Sequence, residues 1–331
     1  MTGGEKTHVV VLGAGAFGTG LAAVLVRAGH DVVLQGRDPS VLGAIREQHR
    51  SPKYLGEITL PDTLRTAAPF STDAHAPDVV LLATPAQTLG VVAREIAARE
   101  AFGAAPIIIC AKGIDRTAGA PLSDVFSSAL PDRAFGVLSG PSFAVDLARG
   151  LPTAVSLAAA TIEAAEIYAA LFAGSALRCY ASDDVRGVEL GGALKNVLAI
   201  GAGIVHGRGL GASAQAALVT RGLVEMRRLA VALGARAETL NGLSGLGDLM
   251  LTCASEQSRN FAYGAAVGRG DPLDGLKLAE GVATADIACR LAATHNVDAP
   301  IITTVSAVLD TTLSVDAAIA ALMERPLTRE V

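Results

Sequence analysis

The stretch HVVVLGAGAFGTGLAAVLV, His8 to Val26, decides the fold. From Val9 to Val26 it carries no charge, over about the length of a bilayer-crossing helix. Its order of residues argues for something else. Val9, Val10 and Val11 are β-branched, and Gly13, Gly15, Gly18 and Gly20 interrupt the apolar run beyond them. β-Branched residues suit a strand, and glycines weaken a helix interior. Phe17, Leu21, Val24, Leu25 and Ala28 then recur at helical spacing. The stretch therefore reads as strand, tight turn and helix, with GAGAFG, Gly13 to Gly18, at the turn. In that setting G-x-G-x-x-G is a dinucleotide-binding fingerprint. Gly13 makes the turn, Gly15 lets the backbone approach a pyrophosphate, and Gly18 lets helix and strand pack closely. The helix start offers its amides and positive dipole end to the phosphates.

Working outward, DVVLQG, DVVLLATP, PIIICAKG, AFGVLSGPS, TAVSLA and ALRCYA read as further strands, with helical patterns between them. Near-continuous apolar strands of this kind suit a parallel sheet covered on both faces. After Asp184 the strand signals stop, and helical patterns occupy 185–205, 213–233, 258–267, 281–295 and 315–324. The expected fold class is α/β then all-α. A Rossmann-type parallel-sheet domain, residues 1–184, precedes an all-helical substrate domain, residues 185–331.

A chain of 331 residues, 51% of them hydrophobic, can bury two cores. A net charge of −5 without any basic run gives no field for nucleic acid, though anionic small molecules need only local positive groups. The leader MTGGEKT lacks the basic start of a signal peptide, so a cytoplasmic protein without a membrane span is expected. Cys110, Cys179, Cys253 and Cys289 are scattered and pair with no histidine, which reads as free buried thiols and no metal site.

The polar residues near these apolar runs carry the chemistry. The second strand ends Leu34, Gln35, Gly36, Arg37, Asp38, Pro39, without the free carboxylate that NAD sites place there. Asp38 before Pro39 reads as a helix cap, leaving Arg37 to meet a 2′-phosphate or stack on adenine; NADP is favoured and NAD remains open. Lys112 ends PIIICAKG, and SGPSFA brings Gly140 and Ser142 after the next strand. Both lie at carboxyl ends of strands, where open sheets bind ligands. Lys195 sits inside GGALKNVLAIGAG, where its helical neighbours Gly191, Gly192 and Ala199 are small. Small neighbours leave room for a ligand, and a lysine in apolar company points to acid–base work. Asp248 lies in the glycine-rich GLSGLGDLMLTC, and Ser258, Arg259 and Asn260 open a helical pattern. A helix start with those three side chains suits phosphate, or is a plain cap.

GAGAFGTGLA, AKGI, SGPSFA, GGALKNVLAIGAG, TRGLVEM, GLGDLMLTC and SRN stand in the order found in bacterial soluble NAD(P)-dependent glycerol-3-phosphate dehydrogenases, which the chain resembles over residues 8 to 310. The resemblance implies a cytosolic homodimer that interconverts dihydroxyacetone phosphate and sn-glycerol 3-phosphate for phospholipid synthesis. It makes Lys195 the proton acceptor or donor. It implies substrate contacts at Lys112, Gly140, Ser142, Lys195, Asp248, Ser258, Arg259 and Asn260. Dinucleotide contacts are implied at Ala16, Phe17, Arg37, Lys112, Ala144, Arg259, Leu278 and Glu280, beside Gly13, Gly15 and Gly18 of the fingerprint. The chain departs from the family at Ala16, a common serine, and at Phe17, a common tryptophan or tyrosine. Two alternatives are a β-hydroxyacid or 6-phosphogluconate-type dehydrogenase and a non-catalytic dinucleotide sensor. The first places an asparagine four residues after its lysine, where this chain has Ala199. The second has no need to keep Lys195, Asp248 and SRN together.

Overall fold

The computed structural model describes residues 6–71, 76–276 and 279–325. The chain divides into two compact units, Met1–Glu189 and Leu190–Val331. In the first, strands β1 (His8–Leu12), β2 (Asp31–Gln35), β3 (Arg65–Ala67), β4 (Val79–Leu82), β5 (Ile107–Ile109), β8 (Phe135–Ser139), β9 (Thr153–Ala159) and β10 (Leu177–Ser182) form one sheet. Strands β6 (Ile114–Asp115) and β7 (Ala120–Pro121) make a separate hairpin. The sheet order is β10-β9-β8-β5-β4-β1-β2-β3. The chain order reverses at β1, between β2 and β4, which puts the topological switch point at the end of β1, next to Gly13.

Both faces of the sheet are covered, and alternation along β1 shows it. Val9 and Val11 pack with Leu21, Leu25 and Leu34, whereas Val10 and Leu12 pack with Val80, Leu82, Phe102 and Phe126. The expectation of an all-parallel sheet needs one correction, because β9 runs antiparallel to β8. The helix between them, Ala144–Arg149, has six residues and is about 9 Å long, against about 17 Å for β8. It is too short to carry the chain back across the sheet, so β9 returns in the opposite sense. Strand β10 then pairs parallel to β9.

The second unit is helical: Ala212–Ala232, Arg259–Arg269, Glu280–Thr294, Pro300–Leu309 and Val315–Met323 come after the long helix Val185–Gly207. That helix begins inside the first unit, where Val188 joins the core beneath Phe126 and Glu189 bonds Ser123. The division at Glu189 therefore falls within the helix, after its first turn, whereas the sequence pattern changes at Asp184. Val185–Gly207 is long and apolar enough to cross a membrane, but its apolar window is wholly buried in the protein.

Glycines let two of these helices meet backbone to backbone. A Cβ at Gly203 would lie 2.1 Å from the Phe261 carbonyl oxygen, and one at Gly207 would lie 2.2 Å from that of Ala265. From the other side, a Cβ at Gly264 would lie 2.1 Å from the Ile200 oxygen and one at Gly268 2.5 Å from that of Ile204. No side chain fits at these crossings.

Two buried glutamates cap helices that lack a cap of their own. Glu225 accepts from the backbone N–H groups of Ile301 (2.9 Å) and Ile302 (3.1 Å) at the start of Pro300–Leu309, where Ala299 supplies no side-chain bond. Glu189 accepts from the N–H (2.7 Å) and hydroxyl (2.6 Å) of Ser123 at the start of Leu122–Ala129. Burial pushes both carboxyls up to about 7, against 4.5 for an ordinary glutamate. Between those two pH values the folded chain holds protons that the unfolded chain has lost, so stability falls as pH rises through the window. Glu225→Gln keeps an acceptor and removes the charge. Thermal melts of wild type between pH 4.5 and 8 should show a decline that this variant lessens, by about 3 kcal/mol at most across the window.

Candidate functional site

The fingerprint loop in the first unit divides its glycines by role. Gly13 has φ +120°, donates its N–H to the Gln35 carbonyl at 2.8 Å, and has the Ala83 oxygen where a Cβ would be, 2.6 Å away. At Gly18 a Cβ would lie 1.9 Å from the Gly13 oxygen. At Gly15 a Cβ would meet nothing within 4 Å. Packing explains the outer two glycines, and it does not explain the middle one. Gly15 is the N-cap of helix Ala16–Arg27, whose first turn has no side-chain cap and no acidic residue. Open space beside an uncapped helix start fits a pyrophosphate. Ala16 and Phe17 occupy that first turn.

At the end of β2, Asp38 caps the helix Pro39–Gln48 by accepting from the Ser40 N–H at 3.0 Å, as the sequence indicated. Its other oxygen holds Lys53 at 2.7 Å. These bonds hold the Asp38 carboxyl well below the usual range, so it is a paired cap. Gln35 is buried, and its amide donates to the Ser71 carbonyl at 2.6 Å while accepting from the Phe70 N–H at 2.7 Å. Arg37 is exposed and makes no hydrogen bond or ion pair among the described residues.

Lys112, Gly140 and Ser142 come together. The Lys112 ammonium donates to the Gly140 carbonyl at 2.8 Å, and the Ser142 hydroxyl donates to the same oxygen at 2.9 Å. Lys112 Nζ also lies 5.6 Å from the centre of the Phe17 ring. Gly140 has φ +151° and lies against Val155, whose Cα a Cβ would meet at 2.8 Å. Ala144 opens the next helix, and its carbonyl lies 2.9 Å from a Cβ at Gly20.

In the second unit Lys195 is 6% exposed and Asp248 1% exposed. The lysine donates to Asp248 Oδ1 at 2.9 Å and to the Thr252 hydroxyl at 2.7 Å. The sequence reading does not include Thr252 in the site. A signal for it exists: Asp248 starts the helix Asp248–Thr252, so Thr252 stands one turn along the same face. The reading of Gly191 as space for a ligand is overturned, because a Cβ there would lie 2.7 Å from the Ser244 carbonyl oxygen. Gly191 lets the turn before Asp248 pack on the lysine helix, which brings the carboxylate to the ammonium.

Ser258 caps helix Arg259–Arg269 by accepting from the Phe261 N–H at 3.3 Å. Asn260 donates to the Asn196 side chain and accepts from the Gly281 N–H, both at 2.9 Å. It thus ties the residue beside Lys195 to the start of the helix that opens with Glu280. Arg259 is exposed, with no hydrogen bond or ion pair among the described residues. Leu278 lies outside the described residues. Cys110 and Cys253 are buried, while Cys179 and Cys289 are half-buried; all four are free. Burial pushes the Cys179 and Cys253 thiols up to about 12.

Two family models match successive parts of the chain. The family model for the NAD-dependent glycerol-3-phosphate dehydrogenase N-terminus matches residues 8–165, and that for the C-terminus matches residues 184–320. The NAD(P)+ glycerol-3-phosphate dehydrogenase of Brucella canis is 52% identical, over 98% of this chain and 99% of the relative. That of Mesorhizobium japonicum is also 52% identical, over 99% and 95%. The crystal structure of glycerol-3-phosphate dehydrogenase from Coxiella burnetii superposes with a TM-score of 0.90 at 35% identity, covering 97% of this chain and 99% of that one.

Gly15 gives the direct test of the nucleotide cradle. Gly15→Ala should leave the melting temperature nearly unchanged while weakening NADPH binding about tenfold or more by fluorescence titration. Gly18→Ala should lower the melting temperature, since its Cβ strikes the Gly13 carbonyl.

Proposed function

The chain belongs to the NAD-dependent glycerol-3-phosphate dehydrogenase family, and we propose that Lys195 moves the proton as it interconverts dihydroxyacetone phosphate and sn-glycerol 3-phosphate with NAD(P)(H). The observation that carries the proposal is the buried pair of Lys195 and Asp248, with Thr252 as a third partner. A bound NADH or NADPH supplies the hydride to C2 of the ketone. Lys195 donates a proton from Nζ to the C2 oxygen, so the alkoxide does not accumulate and the lysine is left neutral. In the oxidising direction it takes that proton back. Asp248 and Thr252 fix the Nζ position, which keeps the donated proton aimed along one line.

Arg259 is our candidate for the substrate phosphate, since its guanidinium is exposed beside an N-terminal helix turn. The remaining contacts implied by the resemblance, at Lys112, Gly140, Ser142, Asp248, Ser258 and Asn260, stand with it. For the dinucleotide we propose Gly13, Gly15, Ala16, Phe17, Gly18, Arg37, Lys112, Ala144, Arg259, Leu278 and Glu280. We assign residues 1–184 to a domain that binds mainly the dinucleotide and residues 185–331 to one that serves mainly substrate and catalysis. A cytoplasmic homodimer supplying glycerol 3-phosphate for phospholipid synthesis is the physiological reading we favour.

Removing Lys195 tests this, provided stability is separated from chemistry. Lys195→Met strands the Asp248 carboxylate in the interior and should cost about 3–5 kcal/mol of stability. The double variant Lys195→Met/Asp248→Leu should recover most of that loss. Both should lose about 10²–10⁴-fold in kcat, measured by NADPH absorbance with dihydroxyacetone phosphate. A double variant that is stable and turns over normally would remove Lys195 from the mechanism.

We further propose that NADPH is used at least as well as NADH, through Arg37. Arg37→Ala should raise the KM for NADPH more than that for NADH, with the difference shrinking at high salt. An equal loss for both cofactors would assign Arg37 to adenine alone.

A further inference from the structure

Lys53 is none of the substrate or dinucleotide residues assigned above, yet it is bonded to the segment that follows β2. That segment is packed on the fingerprint loop. The Gln35 carbonyl accepts from the Gly13 N–H at 2.8 Å, and a Cβ at Gly36 would lie 2.5 Å from that of Ala14. Arg37 and Asp38 are the next two residues. A cation and an anion thus stand side by side at the strand end where dinucleotide domains hold the adenosine ribose. A 2′-phosphate is a monoester carrying about −1.5 to −2 charge at neutral pH. The arginine attracts it and the carboxylate repels it.

Lys53 meets that carboxylate. Its ammonium donates to Asp38 Oδ2 at 2.7 Å, while Asp38 Oδ1 accepts from the N–H (3.0 Å) and hydroxyl (2.6 Å) of Ser40. The bonds from Lys53 and Ser40 hold the carboxyl below its usual range, so Asp38 is charged at neutral pH. A built turn carries the lysine there. Ser51 and Gly56 form an antiparallel bridge, and the Ser51 carbonyl accepts from the N–H groups of Tyr54 (3.0 Å) and Leu55 (2.7 Å). Leu55 anchors the turn in the core of the first unit. The two side chains are 57% and 35% exposed, and so open an ion pair adds little to stability. What it does change is the charge beside Arg37.

We propose that Lys53 sets the dinucleotide preference by neutralising Asp38, so that the carboxylate does not repel the 2′-phosphate of NADPH. This rests on the reading above in which NADPH is held through Arg37. Lys53 is a positioning residue, acting through Asp38 and not on the nucleotide itself. Without it, Asp38 repels the phosphate and is released to accept from ribose hydroxyls, which favours NADH.

The experiment is fluorescence titration of the full chain with NADPH and with NADH, at low and high salt. Lys53→Met should raise the NADPH Kd about tenfold without raising that for NADH, and salt should shrink the difference. Asp38→Asn keeps the helix cap, because its amide oxygen still accepts from the Ser40 N–H, and should bind NADPH at least as tightly as wild type. The double variant Lys53→Met/Asp38→Asn should return the NADPH Kd to within about twofold of wild type. Unchanged NADPH binding in Lys53→Met, or equal loss of both nucleotides, would overturn the proposal. A double variant as weak for NADPH as Lys53→Met would also overturn it, by placing Lys53 on the phosphate directly. Arg37→Ala in the same titration tests the reading beneath. Equal loss of both nucleotides there removes Arg37 from the phosphate, while the Lys53 series still decides whether Asp38 repels it.

Discussion

The contact on which the helical unit depends is between two helix backbones, with no side chain between them. Gly203 and Gly207 of Val185–Gly207 meet Gly264 and Gly268 of Arg259–Arg269 at separations that leave no room for a methyl group. Each glycine costs a helix about 1 kcal/mol against alanine. The close approach offsets that through dispersion and weak Cα–H···O contacts. It also has a geometric product. Asn260, at the start of the second helix, reaches Asn196, the neighbour of Lys195, with a single hydrogen bond of 2.9 Å. A layer of side chains between the helices would put that bond out of reach. Asn260 is thus delivered to the helix that carries Lys195 by glycines one to two turns farther along.

Buried ionisable groups here fall into two kinds, and geometry separates them. Glu189 and Glu225 have strongly raised carboxyls, which taken alone would mark them as functional candidates. Their oxygens are taken by the N–H groups of helix starts and by Ser123, so they are structural caps supplied from a distance. Lys195 is held by side chains on a neighbouring short helix, Asp248 and Thr252, and these partners fix the ammonium that we propose moves the proton. A buried ion pair of this kind is weak evidence for stability, which leaves the proposed proton transfer as the reading we favour for it.

Much of this was legible in the residues themselves. Apolar β-branched runs ended by glycine located the long strands, because a strand buried on both faces has to be apolar throughout. The sense of β9 was not legible, since it depends on the length of the helix before it. The short strands β3, β6 and β7 are two or three residues long, too short to show a period. In the candidate site, Lys195 and Asp248 stood out as charges in apolar or glycine-rich company. Thr252 did not, because a threonine near a helix end is common and only its partner gives it meaning. Around the lysine, sequence showed that glycines were needed, but the reason was tertiary: at Gly191 a backbone fills the space that a ligand was expected to take.

Gln35 carries a consequence for how this chain could change its cofactor. The end of β2 is where many dinucleotide domains keep the carboxylate that grips ribose. Here the last residue of β2 is Gln35, a buried amide that both donates to Ser71 and accepts from Phe70, stapling the loop after β3 to the sheet. A carboxylate in its place would keep the acceptor, lose the donor and bring a charge into the interior. Selection for a different nucleotide therefore has little freedom at this position. On the proposed reading, in which Arg37 meets the nucleotide, change would pass through that exposed side chain or through the loop itself, which ties cofactor choice to local folding.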